Sequence, residues 1–372
     1  MVTDMPSDND RIYLRPLGLM PASKASRDQT QDGGYSGALP LCGDGPLDFT
    51  AVEIVTRRNS VTDRRLRTLS ELWAMDAGPA LQGADTILAN LTTPRPRLAG
   101  LRMDRLQIMG VVNVTPDSFS DGGRYASAND AINHALQLVA EGASILDIGG
   151  ESTRPRSDAI PLDVELARVL PVIEALASKV EVLISIDTRK AEVARRALAA
   201  GASMVNDITA MTHDPEMLAA VAEAGVPAVL MHALGDPKTM QDDPRYLDAP
   251  TEIYDYLALR IEACEAAGIR RAKIVVDPGI GFGKTLEHNL QLMASLTLFH
   301  GLGCPVLVGA SRKRFIGTLT NEPVAARRVS GSVGAALAAV AQGVQIIRVH
   351  DVRETKAALD IFNASWHGLA RH

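Results

Sequence analysis

From residue 106 onward, the chain alternates short runs of apolar and β-branched residues with longer segments whose apolar positions recur at helical spacing. The short runs are almost continuously apolar, which predicts buried strands of a parallel sheet. Several of the longer segments end in Gly, which favours the left-handed cap at a helix C-terminus. The predicted strands cover residues 107–114, 144–150, 182–188, 204–208, 227–233, 273–279, 305–311 and 346–351.

Eight strand–helix units within about 270 residues match the size of a (β/α)8 barrel. We therefore predict an α/β fold with a TIM barrel over residues 105–372. A doubly wound parallel sheet is the alternative, but it needs fewer strands and a switch point in the strand order.

Residues 1–104 have a different pattern, and we predict that they form a small α+β extension before the barrel. Strand candidates lie at 11–14 and 49–56. A following basic stretch leads into a helical pattern and indicates a solvated helix face, with an interaction arm as the alternative; it comprises Arg57, Arg58, Arg64, Arg65 and Arg67. The two prolines at 94 and 96 predict an extended linker, and the boundary is placed near Leu101.

Composition and charge exclude several classes of protein. A hydrophobic content of 46% supports a sizeable core, and a net charge of -6 argues against general affinity for nucleic acid or membrane surfaces. No apolar run reaches the roughly 18 residues of a membrane span, and the first thirty residues lack a secretory pattern. Cys42, Cys264 and Cys304 show no metal-ligand spacing and are expected to be buried thiols. We expect a soluble, cytoplasmic protein.

Polar residues stand at or just after the C-terminal end of every predicted strand. In a closed barrel these ends meet on one face, where barrel enzymes build their sites. One such residue alone would more often cap the next helix, but capping does not explain eight strands that all end in this way. The residues include Asn113, Asp147, Asp187, Asn206, Asp207, His232, Asp277, Ser311, Lys313, Arg348 and His350.

These residues suggest three chemical tasks. Arg348 and His350 share one strand face and, with Lys313, could bind an anion, since phosphate commonly binds after the last two barrel strands. The alternative is a surface pair between Arg348 and Asp351. A set of Asp187, Asn206 and Asp277 suits a flat heterocycle with amino and carbonyl edges, or else mutual hydrogen bonding in a packed interior. A neutral oxygen from Asn113 could complete a Mg²⁺ shell made mostly of phosphate oxygens and water.

The glycine-rich segment GIGFGKT at 279–285 looks like an ATP-binding P-loop. Pro278 stands where that motif needs its first glycine, so the P-loop interpretation is rejected.

Together, several segments resemble the dihydropteroate synthase family of the folate pathway. They occur in family order and cover about residues 105–365. They are NVTPDSFSDGG at 113–123, GGESTRP at 149–155, SIDT at 185–188, NDI at 206–208, TMQ at 239–241, DPGIGFGK at 277–284, SRK at 311–313 and RVHDV at 348–352. Pterin-binding methyltransferase domains share this barrel, but the segments around Ser311 and Arg348 favour the synthase.

The resemblance implies that 4-aminobenzoate attacks the exocyclic methylene of a dihydropterin diphosphate, which releases pyrophosphate and forms 7,8-dihydropteroate. It also implies Mg²⁺, with Asn113 near the metal and diphosphate, and a homodimer. The residues implied to bind the pterin diphosphate are Thr153, Asp187, Asn206, Asp277, Lys313, Arg348 and His350. Those implied for the 4-aminobenzoate pocket are Phe119, Asp121, Arg154, Pro155 and Ser311.

The catalytic residues expected from this resemblance are Asp121, Lys313, Arg348 and His350, with Asp121 stabilising a cationic intermediate. The loop at 113–123, with a glycine pair as hinge, is a plausible lid that excludes water. Arg156 stands where the family usually has Gly, which predicts altered motion of the second loop.

Two other functions remain open. A pterin-binding methyltransferase module would bind a methylated folate and need no diphosphate. A non-catalytic paralogue would bind ligand without turnover.

Overall fold

The structure is a computed structural model that describes residues 11–22, 37–58, 61–74, 83–114, 124–152, 157–235 and 238–368. Within these residues, eight parallel strands form one sheet. They are Gln107–Asn113, Ile145–Gly149, Leu183–Asp187, Met204–Asp207, Ala228–Met231, Ile274–Asp277, Leu307–Val308 and Ile346–Val349. Each strand lies inside the segment predicted for it, and we call them barrel strands one to eight.

The sheet closes into a barrel. Strands one to six pair in chain order, and strand eight pairs with strand one on one side and strand seven on the other. A parallel bridge between Val276 and Val306 joins strand six to the residue before strand seven. Throughout the described sheet, each strand neighbours the next one along the chain, without a switch point. The predicted (β/α)8 barrel is therefore confirmed, and the doubly wound alternative is wrong.

Helices follow the strands and surround the barrel. They are Arg124–Ala140, Leu162–Ala177, Ala191–Ala199, Met217–Ala224, Ala249–Ala266, Leu286–Met293, Arg314–Thr320, Val329–Val340 and Val352–His367. Before helix Val329–Val340, a 3-10 turn at Ala325–Arg327 ends at Arg328, which leaves helical geometry while its guanidinium binds the Glu322 carbonyl. Among the described residues, the structure contains no helix that is long and apolar enough to cross a bilayer.

An apolar layer fills the N-terminal end of the barrel. Its members are Met109, Ile145, Leu183, Met204, Val229, Val275, Leu307 and Ile346. Leu98, Leu101 and Met103 pack into the same cluster, so the segment before strand one closes this end. The described residues therefore close the barrel at this end, opposite the strand C-termini, where the polar residues were predicted to meet.

The N-terminal extension contains two three-stranded antiparallel sheets within the described residues. One has the order Arg11–Leu17, Ala51–Arg58, Val61–Thr68, and the other Met20–Pro21, Leu47–Phe49, Leu39–Pro40. Helices Leu69–Ala74 and Ala84–Thr92 pack with them around a separate core.

The predicted helix face for the basic stretch was wrong, because these arginines lie on two paired strands. Strand Val61–Thr68 is at the sheet edge with mostly exposed side chains, so no apolar alternation marked it.

The extension packs on the outside of the barrel through buried polar contacts. Asp255, on helix Ala249–Ala266, accepts a hydrogen bond from the Tyr13 hydroxyl at 2.9 Å and pairs with Arg11 at 2.8 Å. Arg57 binds the same carboxylate. The three cysteines are buried and free, as expected.

Candidate active site

Strand alternation brings polar side chains into the barrel directly above the apolar layer. Residues two positions beyond that layer point to the same side of their strands. They include Asp147, Ser185, Asn206, Asp277 and Arg348. All are buried except Arg348, which is partly exposed. The predicted convergence of strands two, three, four, six and eight is thus present at the open end of the barrel.

Arg348 lies at the centre of this layer. Its Nε donates to Asp147 Oδ2 at 2.6 Å, and its Nη2 donates to Asp187 Oδ2 at 2.7 Å. Asn206 Nδ2 donates to the same oxygen of Asp147 at 2.9 Å. Asp147 Oδ1 and Ser185 Oγ are buried and make no hydrogen bond to any described residue. Since buried polar atoms without partners cost free energy, both are suited to bond a ligand atom.

The surface pair proposed as the alternative for Arg348 was wrong. Asp351 instead binds Arg312, whose Nε donates to Asp351 Oδ2 at 3.0 Å. This leaves Arg348 within the barrel on strand eight, and His350 follows directly after that strand. The Nδ1 atom of His350 lies 3.0 Å from Ser311 Oγ, which also accepts the His350 backbone N–H at 3.2 Å. The segments that follow strands seven and eight therefore meet through Ser311 and His350.

Burial changes the pKa of the carboxylates in this layer. Desolvation raises the pKa of Asp187 to about 7, and neighbouring Asp147 adds to the rise, whereas Arg348 opposes it. Desolvation also raises the pKa of Asp277, against Lys313 and a hydrogen bond of 2.7 Å from the Gly279 N–H. Both carboxyl groups can bind the N–H edges of a heterocycle, and Asp187 can exchange a proton with them near neutral pH.

Lys313 reaches the site across the loop after strand six. Its Nζ binds the Ile280 carbonyl and lies 4.3 Å from the centroid of the Phe282 ring. Desolvation lowers the pKa of Lys313 to about 7, although Asp277 raises it. A Cβ on Gly281 would lie 2.9 Å from Lys313 Cδ, so glycine leaves the room that the lysine stem needs.

Lys284 is a buried residue that the sequence analysis included in two motifs without giving it a role of its own. It is 3% exposed, and its Nζ lies 3.0 Å from His232 Nδ1 while donating to the carbonyl of Phe282 at 2.9 Å. Desolvation lowers the pKa of Lys284 well below its usual value, and it lowers the pKa of His232 as well. Lys284 therefore joins the loop carrying Phe282 to the end of strand five.

A second ion cluster anchors the loop after strand two. Glu151 Oε1 accepts from Arg189 Nη2 at 2.7 Å, and Glu151 Oε2 accepts from Lys190 Nζ at 2.6 Å. Lys190 also pairs with buried Glu165 at 2.5 Å. Burial raises the pKa of Glu151, but Lys190 and Arg189 more than offset it and hold that pKa below its usual value. The sequence analysis did not predict this cluster. The available signal was the charged pair Arg189 and Lys190, which directly follows the SIDT segment.

The remaining predicted site residues divide into two groups. Asn113 ends strand one beside Gly149, at the open end of the barrel. Phe119, Asp121, Thr153, Arg154, Pro155 and Arg156 lie outside the described residues, as does the glycine pair of the proposed lid. Their roles stay predictions. Among the described residues, no three His, Cys, Asp or Glu side chains form a group that could hold a metal ion.

Comparison with known proteins identifies the family. The protein-family model for pterin binding enzymes matches residues 109–350. Dihydropteroate synthase of Escherichia coli K12 is 48% identical over 265 residues, which cover 71% of this chain and 93% of the relative. The chain belongs to the dihydropteroate synthase family. Dihydropteroate synthase of Neisseria meningitidis serogroup B is 50% identical over 269 residues and likewise covers 70% of this chain and 93% of its own length.

Solved structures of the family share the barrel. Xanthomonas albilineans dihydropteroate synthase with 4-aminobenzoic acid aligns with a TM-score of 0.69 and 49% identity, covering 73% of this chain and 98% of that one. The same enzyme in complex with 7,8-dihydropteroate gives a TM-score of 0.67 at 46% identity with the same coverage. Because these relatives are covered almost completely, more than a quarter of this chain extends beyond what they share with it.

Proposed function

We propose that this chain is a dihydropteroate synthase that condenses (7,8-dihydropterin-6-yl)methyl diphosphate with 4-aminobenzoate to give 7,8-dihydropteroate and pyrophosphate. The arrangement of Arg348 between Asp147 and Asp187, with Asn206, Asp277 and Lys313 around the same opening, carries this proposal. Relatives of nearly 50% identity, with solved structures containing 4-aminobenzoic acid or 7,8-dihydropteroate, support the choice of substrates.

The pterin fits the buried layer of hydrogen-bonding groups. Its amino and ring N–H groups would donate to Asp187 and Asp277, and its ring acceptors would bind Asn206 and Lys313. The 4.3 Å contact between Lys313 and Phe282 holds the ammonium at one edge of this layer. Each of these groups is fixed by contacts within the protein, so little ordering free energy is needed when the ligand binds.

The diphosphate would lie between strands seven, eight and one. A guanidinium has five N–H donors, and the two described hydrogen bonds of Arg348 to carboxylates leave others for phosphate oxygens. The Ser311–His350 pair lies at the same end of these strands, where barrel enzymes usually bind phosphate. We assign Thr153 to this group from the family resemblance.

Mg²⁺ is part of the proposal. The described residues offer Asn113 as a neutral oxygen ligand without a carboxylate cage, which fits an ion held mainly by diphosphate oxygens and water. When bound, the ion would neutralise charge on the departing diphosphate. Asn113 would orient it.

The residues of the chain are suited to two tasks, which are to assist departure of the diphosphate and to keep water away from the cationic intermediate. An arylamine is neutral near pH 7 and needs no strong base, so departure of the leaving group is the demanding step. Fixed positive charge from Arg348 addresses that step, and Lys313 adds to it when protonated. We further propose that Asp121 stabilises the cationic pterin and that Phe119, Arg154, Pro155 and Ser311 bind 4-aminobenzoate, while the first two loops exclude water.

A turnover assay that follows pyrophosphate and dihydropteroate together tests this function. We expect equal amounts of both products, and a loss of at least about 100-fold in turnover for Arg348→Ala, as for removal of a charge-stabilising group. Arg195→Ala is a matched control, because Arg195 makes a partly exposed pair with Glu216 on the outer helices. Tight binding of the pterin diphosphate without product would indicate the non-catalytic paralogue. Binding of a methylated folate instead would indicate the methyltransferase module.

We also propose, from the family resemblance, that the enzyme is a cytoplasmic homodimer. Light scattering at micromolar protein concentration measures the oligomeric state, and a mass of 39.6 kDa would correspond to the monomer and contradict the proposal.

A further inference from the structure

A cavity of about 260 Å³ lies where the N-terminal extension meets the closed end of the barrel. It is remote from the strand C-termini, because Met103 belongs to the apolar cluster that closes the opposite end. Its lining combines a cysteine with several charged side chains. The lining residues are Cys42, Asp44, Pro94, Arg95, Arg97, Arg102, Met103 and Asp104.

Cys42 and His300 form a hydrogen-bonded pair at this cavity. Cys42 Sγ lies 3.5 Å from His300 Nδ1, and His300 Nε2 lies 2.9 Å from the Gln342 carbonyl oxygen. A carbonyl can only accept, so Nε2 carries a hydrogen and Nδ1 faces the thiol. The thiol and the imidazole therefore share one proton, which is the arrangement of an activated nucleophile, its base and an orienting group. Gln345 Nε2 also donates to Sγ at 3.3 Å.

Charge around the pair favours the thiolate. Arg95 is 8% exposed and donates from Nη2 to the His300 carbonyl at 2.8 Å, while its Nε is buried without a partner among the described residues. Burial raises the pKa of Cys42, but His300 and Arg95 more than offset this and lower it to about 7. Burial raises the pKa of Cys264 to about 11 and that of Cys304 to about 12, so the three thiols differ sharply.

We propose that Cys42 is a nucleophilic thiol and that its cavity takes small anionic disulfides, which modify it as a mixed disulfide. The Cys42 thiolate attacks one sulfur of the disulfide, a new S–S bond forms, and the other half leaves as a thiolate. The cysteine sulfur is oxidised and the disulfide is reduced. The shared proton stays on His300 or passes to the departing thiolate. Arg95 and Arg97 would attract the anion, and Asp44, Arg102 and Asp104 are the other charged groups at the cavity.

The test uses the full-length, reduced protein and 5,5′-dithiobis(2-nitrobenzoate), an anionic disulfide whose released thiolate absorbs light. Peptide mass spectrometry assigns each modified cysteine. At pH 7 we expect Cys42 to react at least about 100-fold faster than Cys264 and Cys304, because only its thiolate is well populated. The rate should rise with a midpoint near pH 7 rather than near the ordinary value of about 8.5. Equal reactivity of the three thiols, or a midpoint at or above about 8.5, would overturn the proposal.

Two variants test the activation of the Cys42 thiol and the anion preference of its cavity separately. Arg97→Glu replaces an exposed cation of the lining and should slow the anionic reagent by about threefold or more, with little change for the neutral reagent 2,2′-dithiodipyridine. His300→Gln should move the midpoint towards that of an ordinary thiol; if this buried variant does not fold, the pH profile of the unmodified chain decides. An equal effect of Arg97→Glu on both reagents would contradict anion selection. None of these readouts depends on synthase turnover.

Discussion

Arg348 is the residue on which the polar layer depends. Burial lowers its pKa, but the neighbouring carboxylates of Asp147 and Asp187 more than offset this, so the guanidinium stays charged. Without it, two buried carboxylates would face each other with no cation between them, which is a costly arrangement. Because Asp147 and Asp187 share Arg348 as their partner, the same opening holds a carboxylate of raised pKa and a permanently charged guanidinium.

The raised pKa of Asp187 predicts a particular dependence of stability on pH. Its folded value of about 7 exceeds the value of about 3.9 for an unfolded Asp, so the native state binds more protons between these limits. The free energy of unfolding should therefore fall as pH rises through this window. Between pH 5 and 7, the free energy of unfolding should fall by about 2 kcal/mol less in Asp187→Asn than in the unmodified protein. Urea unfolding at several pH values measures this difference.

Asp214→Asn provides the control for this measurement. Asp214 accepts a hydrogen bond of 2.8 Å from the Ala191 N–H, and although burial raises its pKa, such hydrogen bonds hold the pKa below its usual value. As pH falls, stability from this group is lost only below about pH 5, so its removal should leave the slope between pH 5 and 7 unchanged. An unchanged slope in Asp187→Asn would show that Asp187 is ionised throughout this range in the native protein.

At the scale of elements, the loop after strand six is held by close backbone approach. Gly279 has φ 69°, and a Cβ there would lie 1.9 Å from the His232 carbonyl oxygen. Lys284 then binds the carbonyl of Phe282, and Gln241 Nε2 donates to the carbonyl of Gly281 at 2.7 Å. The loop that supports Lys313 is thus fixed to the end of strand five on one side and to Gln241 on the other.

Gly279→Ala should disrupt this loop more than its left-handed conformation alone explains. The positive φ alone would cost about 1 kcal/mol. The new Cβ would also overlap the His232 carbonyl oxygen, so strand five or the loop must move, which costs further free energy. We expect at least about 3 kcal/mol of destabilisation and a raised KM for the pterin diphosphate. Gly268→Ala is the matched control, with φ 92° and nothing within 4 Å of its Cβ. Similar losses of stability in the two variants would refute the role of the close contact.

The elements also show what the sequence could and could not predict. Barrel strands were predictable because each is buried on both faces and therefore apolar throughout. Asp187, Asn206 and Asp277 could be found as polar ends of such strands. The pairing of Arg348 with Asp147 and Asp187 could not, because it depends on which strands meet across the barrel. Burial of Lys284 was equally hidden, since its amino group donates to carbonyls that no sequence pattern marks.

At the scale of the molecule, the extension and the barrel share charged and polar contacts on one side. Thr297 Oγ1 donates to the Pro16 carbonyl at 3.0 Å, and Asn90 Nδ2 donates to the Gly301 carbonyl at 2.9 Å. Together with the Cys42–His300 pair, they connect the extension to the residues between strands six and seven. The extension therefore packs against the barrel wall, whereas the polar layer opens at the strand C-termini.

Asp255 tests whether the extension contributes to the stability of the whole molecule. It is 3% exposed and is the shared acceptor for Tyr13, Arg11 and Arg57. Asp255→Ala would leave these donors without their acceptor, which should cost about 3 to 5 kcal/mol of unfolding free energy. Turnover of the folded fraction should stay close to that of the unmodified chain, because the cluster lies outside the polar layer. Glu265→Ala, which removes a partly exposed pair with Arg271, should cost no more than about 1 kcal/mol. Equal losses in both variants, measured by urea unfolding, would mean that the extension packs on the barrel without support from its buried charges.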